Sequence, residues 1–240
     1  MLTVDLNVDA IRYVINNKIG FVISYYGLIS NPVKIFPTVL VKKLLLLSRF
    51  PISVFALGNP YATADNGVCD IITDELYLNN SEILSITNKS GKKISIGRIC
   101  SPQLYPNQTE SFQLKHLLER AKNNVESSII MHIGELEKKV EKIAIVGIER
   151  VNINILIELK KLNIDCLISA GMLGQRESIL ANDLKLSVIS LSFFDCIKKA
   201  LEKLQTVLSL EFPNEEFFLY DSKNPYNLGI FEKKNLLQLR

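Results

Sequence analysis

Short apolar runs alternate with longer stretches of helical period through most of this chain, and that alternation limits the folds open to it. Residues 142–146, 165–169 and 186–190 have strand length, and 151–162, 172–184 and 193–210 carry apolar residues at helical spacing. Runs this apolar suit strands buried between layers of helix. The same rhythm opens the chain. Residues 2–6 read as a strand, Asn7 as the N-cap of a helix through Asn17, and 19–24 as a second strand. Pro37 sits at the first turn of a helix to Arg49, where its missing N–H costs nothing. A strand over 52–57, a Gly58-Asn59-Pro60 turn and a helix ending near Leu76 follow. Such alternation predicts parallel or mixed strands in one sheet.

The middle is less regular. Residues 93–98 read as a strand, 102–109 as loop, 111–125 as a helix on Leu114, Leu117, Leu118 and Ala121, and 127–133 as a strand. Residues 217–220 look like a last strand, and the segment after Pro225 looks like a tail.

Hydrophobic residues make up 48% of the 240, and the mean hydropathy is +0.18. Buried strands account for part of that, and burial in an oligomer for the rest. The net charge of +3 arises from 28 basic and 25 acidic residues, too balanced to imply nucleic acid or an acidic membrane surface. Cys69, Cys100, Cys166 and Cys196 show no C-x-x-C pattern, and no signal peptide is evident, so reduced thiols in the cytoplasm are expected. The apolar run 39–47 contains Lys42-Lys43 and is too short to span a bilayer. Acceptor patterns for glycosylation start at Asn79, Asn88 and Asn107 but have no meaning without secretion.

Phe21 to Ile29, with Ser24-Tyr25-Tyr26-Gly27-Leu28 at its centre, resembles the Ser-His-His-Gly/Pro-Leu signature of the Nif-three-like dinuclear metal family. Bacterial members of that family are often labelled GTP cyclohydrolase I type II. The resemblance continues in order. Val4-Asp5 matches the opening strand, and Gly58-Asn59-Pro60-Tyr61-Ala62 the His-x-x-Leu-Asp motif. Asn66-Gly67-Val68-Cys69-Asp70 matches a helix start, and Ile96-Gly97-Arg98-Ile99 a Gly-Arg-Ile/Leu-Gly segment. Ala144-Ile145-Val146-Gly147 and Asp165-Cys166-Leu167-Ile168-Ser169 match two further strands, and Ser190-Leu191-Ser192-Phe193 the place of an Asp-Ala-Gly-His-x-x-x-x-Glu motif. The resemblance implies an α/β Nif-three-like fold of mixed sheets flanked by helices, in two similar intertwined halves. One domain would span 1–240, with halves at about 1–100 and 101–225 and a tail at 226–240. The family's usual N-terminal helix and the large inserted domain of some bacterial members have no counterpart here.

Family members bind two divalent metal ions through imidazoles and carboxylates. Carried over, the ligand positions are Tyr25, Tyr26, Gly58, Ala62, Phe193 and Ile197. Phenol, with an ordinary pKa near 10, is a poor ligand for such ions. Two divalent ions about 3.5 Å apart repel by roughly 19 kcal/mol at an effective dielectric of about 20. The family's carboxylates offset that repulsion, and Ala62 and Ile197 stand in their places. No metal cofactor is therefore expected, and the tyrosines read as aromatic volume filling the site. Asp65, Glu177 and Asp195 are the carboxylates that could hold a single cation from new positions; otherwise Asp65 and Asp195 cap or charge helix starts. His116 and His132 lack companions at metal-ligand spacing.

The expected protein is a metal-free structural or binding homologue without catalysis; the alternative is a metal-dependent hydrolase using relocated ligands. Its expected partner is itself, with a hexameric ring implied by the resemblance. No membrane partner is expected, nucleic acid is disfavoured, and the small-molecule ligand is unknown.

Overall fold

In a computed structural model that describes residues 1–29, 32–87, 90–103 and 111–226, the apolar runs assemble into two sheets rather than one. The first holds β1 (Leu2–Thr3), β2 (Phe21–Ser24) and β3 (Ser53–Ala56), all parallel. Helices α1 (Val8–Asn16) and α2 (Thr38–Leu47) make the crossovers. Asn7 caps α1 as expected, its Oδ1 accepting from Ala10 N at 2.9 Å. Pro37 is the N-cap of α2 rather than a first-turn residue.

Residues 58–60 do not form a turn; they begin the short helix α3 (Gly58–Thr63), which α4 (Val68–Glu75) follows. Gly58 takes φ +59°, a left-handed conformation that side chains resist. The second sheet starts with β4 (Leu78–Thr87) and β5 (Lys93–Pro102), an antiparallel pair. After α5 (Leu114–Arg120) and a π-helical turn at Ala121–Val125 comes β6 (Ile130–Ile133). Then β7 (Ile143–Val146), α6 (Ile153–Lys161), β8 (Cys166–Ser169), α7 (Gln175–Asp183), β9 (Ser187–Leu191) and α8 (Phe193–Glu211) realise the predicted alternation. The sheet order is β4-β5-β7-β8-β9-β6, with β7, β8 and β9 parallel and buried throughout.

Two sheets form because β5 pairs with β7 and leaves β3 as an edge. Gly97 permits that pairing: a Cβ there would lie 1.8 Å from the Ile145 carbonyl oxygen. Residues 217–220 are not a strand. They make one bridge, Leu2 N to the Phe218 carbonyl and Tyr220 N to the Leu2 carbonyl, both 2.8 Å, because β1 is too short to offer more. The tail after 226 and two of the three glycosylation patterns lie outside the described residues; Asn79 to Ser81 lies in β4.

One core joins the sheets: Leu2 and Ile23 from the first pack in the same cluster as Ile143, Ile168 and Ile189 from the second. All four cysteines are buried and free. His116 is half-buried, its Nδ1 accepting from Gln113 N, and His132 is exposed on β6. Among the described residues, no helix is long and apolar enough to cross a membrane.

Candidate functional site

The carboxyl ends of strands from both sheets meet, and open α/β sheets present ligand crevices there. Tyr25 and Tyr26 follow β2, Gly58 and Ala62 lie on α3 just beyond β3, and Phe193 and Ile197 lie on α8 just beyond β9. Folding draws most of these positions together. Tyr25 is 2% exposed, with its ring centroid 5.2 Å from Tyr26 and 5.6 Å from Phe193, both in edge-to-face geometry. Tyr26 and Phe193 are 6.2 Å apart, closing a triad of rings. Ala62 and Ile197, both 0% exposed, belong to the core cluster that includes Tyr25, Cys69 and Cys196. Edge-to-face pairs add about 0.5–1.5 kcal/mol beyond the burial of the rings.

The backbone fixes this arrangement. Tyr25 N donates to the Thr3 carbonyl at 3.1 Å, and Gly58 N to the Tyr25 carbonyl at 2.9 Å. Ser24 Oγ donates to the Tyr26 carbonyl at 2.7 Å. Tyr25 Oη donates weakly to Asn59 Oδ1 at 3.4 Å, and Tyr61 Oη to the Ala200 carbonyl at 3.0 Å, tying α3 to α8.

None of the six side chains supplies an anion or a free imidazole. Burial, then the nearby Glu149 and Asp5 carboxylates, push the Tyr26 phenol up to about 12. Burial raises Tyr25 further in the same direction. Both phenols are therefore neutral near pH 7 and unsuited to divalent cations. The donor set does not match the imidazoles and carboxylates of a dinuclear centre. Among the described residues, no three His, Cys, Asp or Glu side chains converge as a metal site would require.

The three candidate relocated carboxylates are scattered. Asp65 is exposed and lies 3.3 Å from Arg98 Nη2. Asp195 Oδ2 accepts from Ser128 N at 2.7 Å and Ser128 Oγ at 2.5 Å, while Asp195 N donates to the N-cap Ser192 Oγ at 3.4 Å. Glu177 lies in the first turn of α7. Asp195 lies in the first turn of α8, as its charge reading expects, but Asp65 sits in the connection after α3, and the acid in the first turn of α4 is Asp70.

Arg98 has a role that its sequence context did not suggest. It is 1% exposed on β5 and donates to the Thr63 and Ala64 carbonyls at 3.0 and 3.1 Å, and to Asp70 Oδ2 at 3.1 Å. Its Nε also lies 2.7 Å from Asp70 Oδ1, at an angle outside hydrogen-bonding geometry, so that contact is ionic. The guanidinium thus clamps the α3–α4 connection to the second sheet.

Outside the ring triad lies a cleft of about 930 Å³ between the two sets of strand ends. Tyr26, Phe193 and Phe194 form part of its wall, and Asp5, Glu149, Arg150 and Lys223 bring charge to it. Asp5, Glu149 and Lys223 come from loops at no fixed spacing. Of these only Asp5 fell within a matched segment, Val4-Asp5, and what unites the three is their places after β1, β7 and the 217–220 segment.

A model of the family described as Duf34/NIF3 (NGG1p interacting factor 3) matches residues 1–225. The chain belongs to this family. A GTP cyclohydrolase 1 type 2 homolog of Clostridium acetobutylicum is 26% identical over 171 residues. That match takes in 70% of this chain but 61% of the relative, so the chain spans under two thirds of that protein's length. Among solved structures, a Bacillus cereus protein related to NIF3 superposes with TM-score 0.74 at 14% identity, over 95% of this chain and 88% of that one. Reduced HcgD from Methanocaldococcus jannaschii gives 0.69 at 20% identity, over 87% and 77%. These likenesses extend the family's mixed α/β fold to this chain.

Proposed function

We propose that this DUF34/NIF3 member binds an organic small molecule in the cleft beside Tyr26 and holds no dinuclear metal centre. One observation carries the reading: the Tyr25–Tyr26–Phe193 rings pack together with buried Ala62 and Ile197 at the positions that the resemblance assigns to the family's ligands. Removing such rings to admit hydrated ions would forfeit about 3–5 kcal/mol per aromatic side chain. The cleft outside them, walled by rings and carrying both signs of charge, suits a small polar aromatic molecule. No hydrolysis is proposed, since none of the six side chains can generate a metal-bound hydroxide.

Asp5 and Glu149 favour a second reading, a metal-dependent hydrolase of the kind named in the Clostridium relative, with ligands moved to the cleft. Elemental mass spectrometry of the purified chain separates the two. Less than one equivalent of transition metal per chain, with no rise in melting temperature on adding zinc or manganese, is the expected result. Two metals per chain, or GTP ring-opening that Asp5→Ala and Glu149→Ala abolish, would sink the metal-free reading.

A further inference from the structure

The cleft beside Tyr26 is lined by rings and by charge, and its two signs of charge are not placed alike. Tyr26, Phe193, Phe194 and Tyr226 contribute aromatic surface, while Asp5 and Glu149 contribute carboxylates. Tyr26 and Phe193 stand with ring centroids 6.2 Å apart, and both are half-buried, so each keeps surface for a ligand. Asp5 follows β1 and is itself half-buried, and Glu149 follows β7. Among the described residues, neither carboxylate makes a hydrogen bond or an ion pair. A half-buried anion keeps its charge only with water or a cation beside it.

Both carboxylates bear on the aromatic wall. After burial, Glu149 and then Asp5 raise the Tyr26 phenol; after burial and Tyr26, Glu149 also raises Tyr25. Glu149 is exposed, yet its charge thus acts on the rings rather than away from them. Arg150 and Lys223, the cations of the cleft, are exposed on long stems that keep their charge in water. The start of α8 at Ser192 would favour an anion, but Asp195 in its first turn already answers that dipole.

We propose that the ligand of this cleft is an arylalkylamine, bound as its ammonium ion by Asp5 and Glu149 with its ring against Tyr26, Phe193 and Phe194. The proposal rests on the reading of the cleft as a small-molecule site and adds the charge of the molecule. Ring faces attract cations, and carboxylates accept charge-assisted hydrogen bonds from ammonium N–H groups. The same two carboxylates repel a phosphate or carboxylate brought to that wall. An aliphatic amine like that of lysine loses its proton only at about pH 10.4, so it arrives charged near pH 7.

The test is isothermal titration calorimetry of the full chain near pH 7 with probes that share one ring: tyramine, a cation; tyrosol, which is neutral; and 4-hydroxyphenylacetate, an anion. Tyramine is expected to bind at least about tenfold more tightly than tyrosol, and the anion more weakly still. Asp5→Asn and Glu149→Gln should each remove most of that preference, while tyrosol binding and the circular dichroism spectrum stay unchanged. Tyrosol or the anion binding as tightly as tyramine would overturn the ammonium assignment and leave the small-molecule cleft standing. A preference for tyramine that survives both substitutions would do the same. Failure of all the probes to bind at millimolar concentration would overturn both readings. Displacement of tyramine by one equivalent of zinc or manganese would overturn the proposal in favour of a metal ion at Asp5 and Glu149.

Discussion

Tyr26 stands at the boundary of core and cleft, and its proton is held by both. Burial is the main reason its phenol is pushed from 10.0 up to about 12, with Glu149 and Asp5 adding to it; Tyr61, buried without carboxylate neighbours, also moves to about 12. Below pH 10 these phenols are neutral in the folded and unfolded chain alike. Between pH 10 and pH 12 an unfolded tyrosine loses its proton while Tyr26 keeps it. The unfolded state then binds fewer protons, and stability falls as pH rises. The urea midpoint should therefore drop across that window, and less steeply in Tyr26→Phe. A midpoint indifferent to alkali would contradict the packing described for this ring. The six aligned positions came from the resemblance to the family's motifs, and of them Tyr25, Tyr26 and Phe193 come into ring contact. Glu149 was not legible, because a lone carboxylate on a loop has no period to betray it, and Asp5 was matched as part of a strand but not as part of a cleft.

At the scale of elements, β7 to α8 could be read from the alternation because buried parallel strands are apolar at every position. β4 could not. It buries Leu78 and Leu84 but exposes Asn79, Asn80 and Ser81, so its apolar content is that of a loop. Which strands would pair was equally hidden, since period reports a strand's burial and not its neighbour. The determinant was Gly97, a residue with no side chain to score. Gly97→Ala sets a methyl carbon against the Ile145 carbonyl oxygen and should cost about 3 kcal/mol through displaced pairing of β5 and β7. Urea denaturation measures this directly, and a loss below about 0.5 kcal/mol would show that β5 can slide away freely.

Across the whole molecule, the two sheets share one large core, although each also packs a smaller cluster of its own on its far side. Leu2 and Ile23 share a cluster with Ile143 and Ile189, and Arg98 on β5 clamps the connection after α3. Neither sheet can open without exposing its side of the shared cluster, so unfolding in urea should be a single transition by fluorescence and circular dichroism together. Two separated transitions would mean that the sheets are independent units.

The buried thiols turn this shared core into a timepiece. Burial pushes the Cys166 and Cys69 thiols well up from the ordinary thiol range, so near pH 7 the native thiols stay protonated. Iodoacetamide must then wait for the chain to open before it can react. Each alkylation event counts one opening, with Cys69 keeping time for the aromatic cluster and Cys166 for the parallel strands.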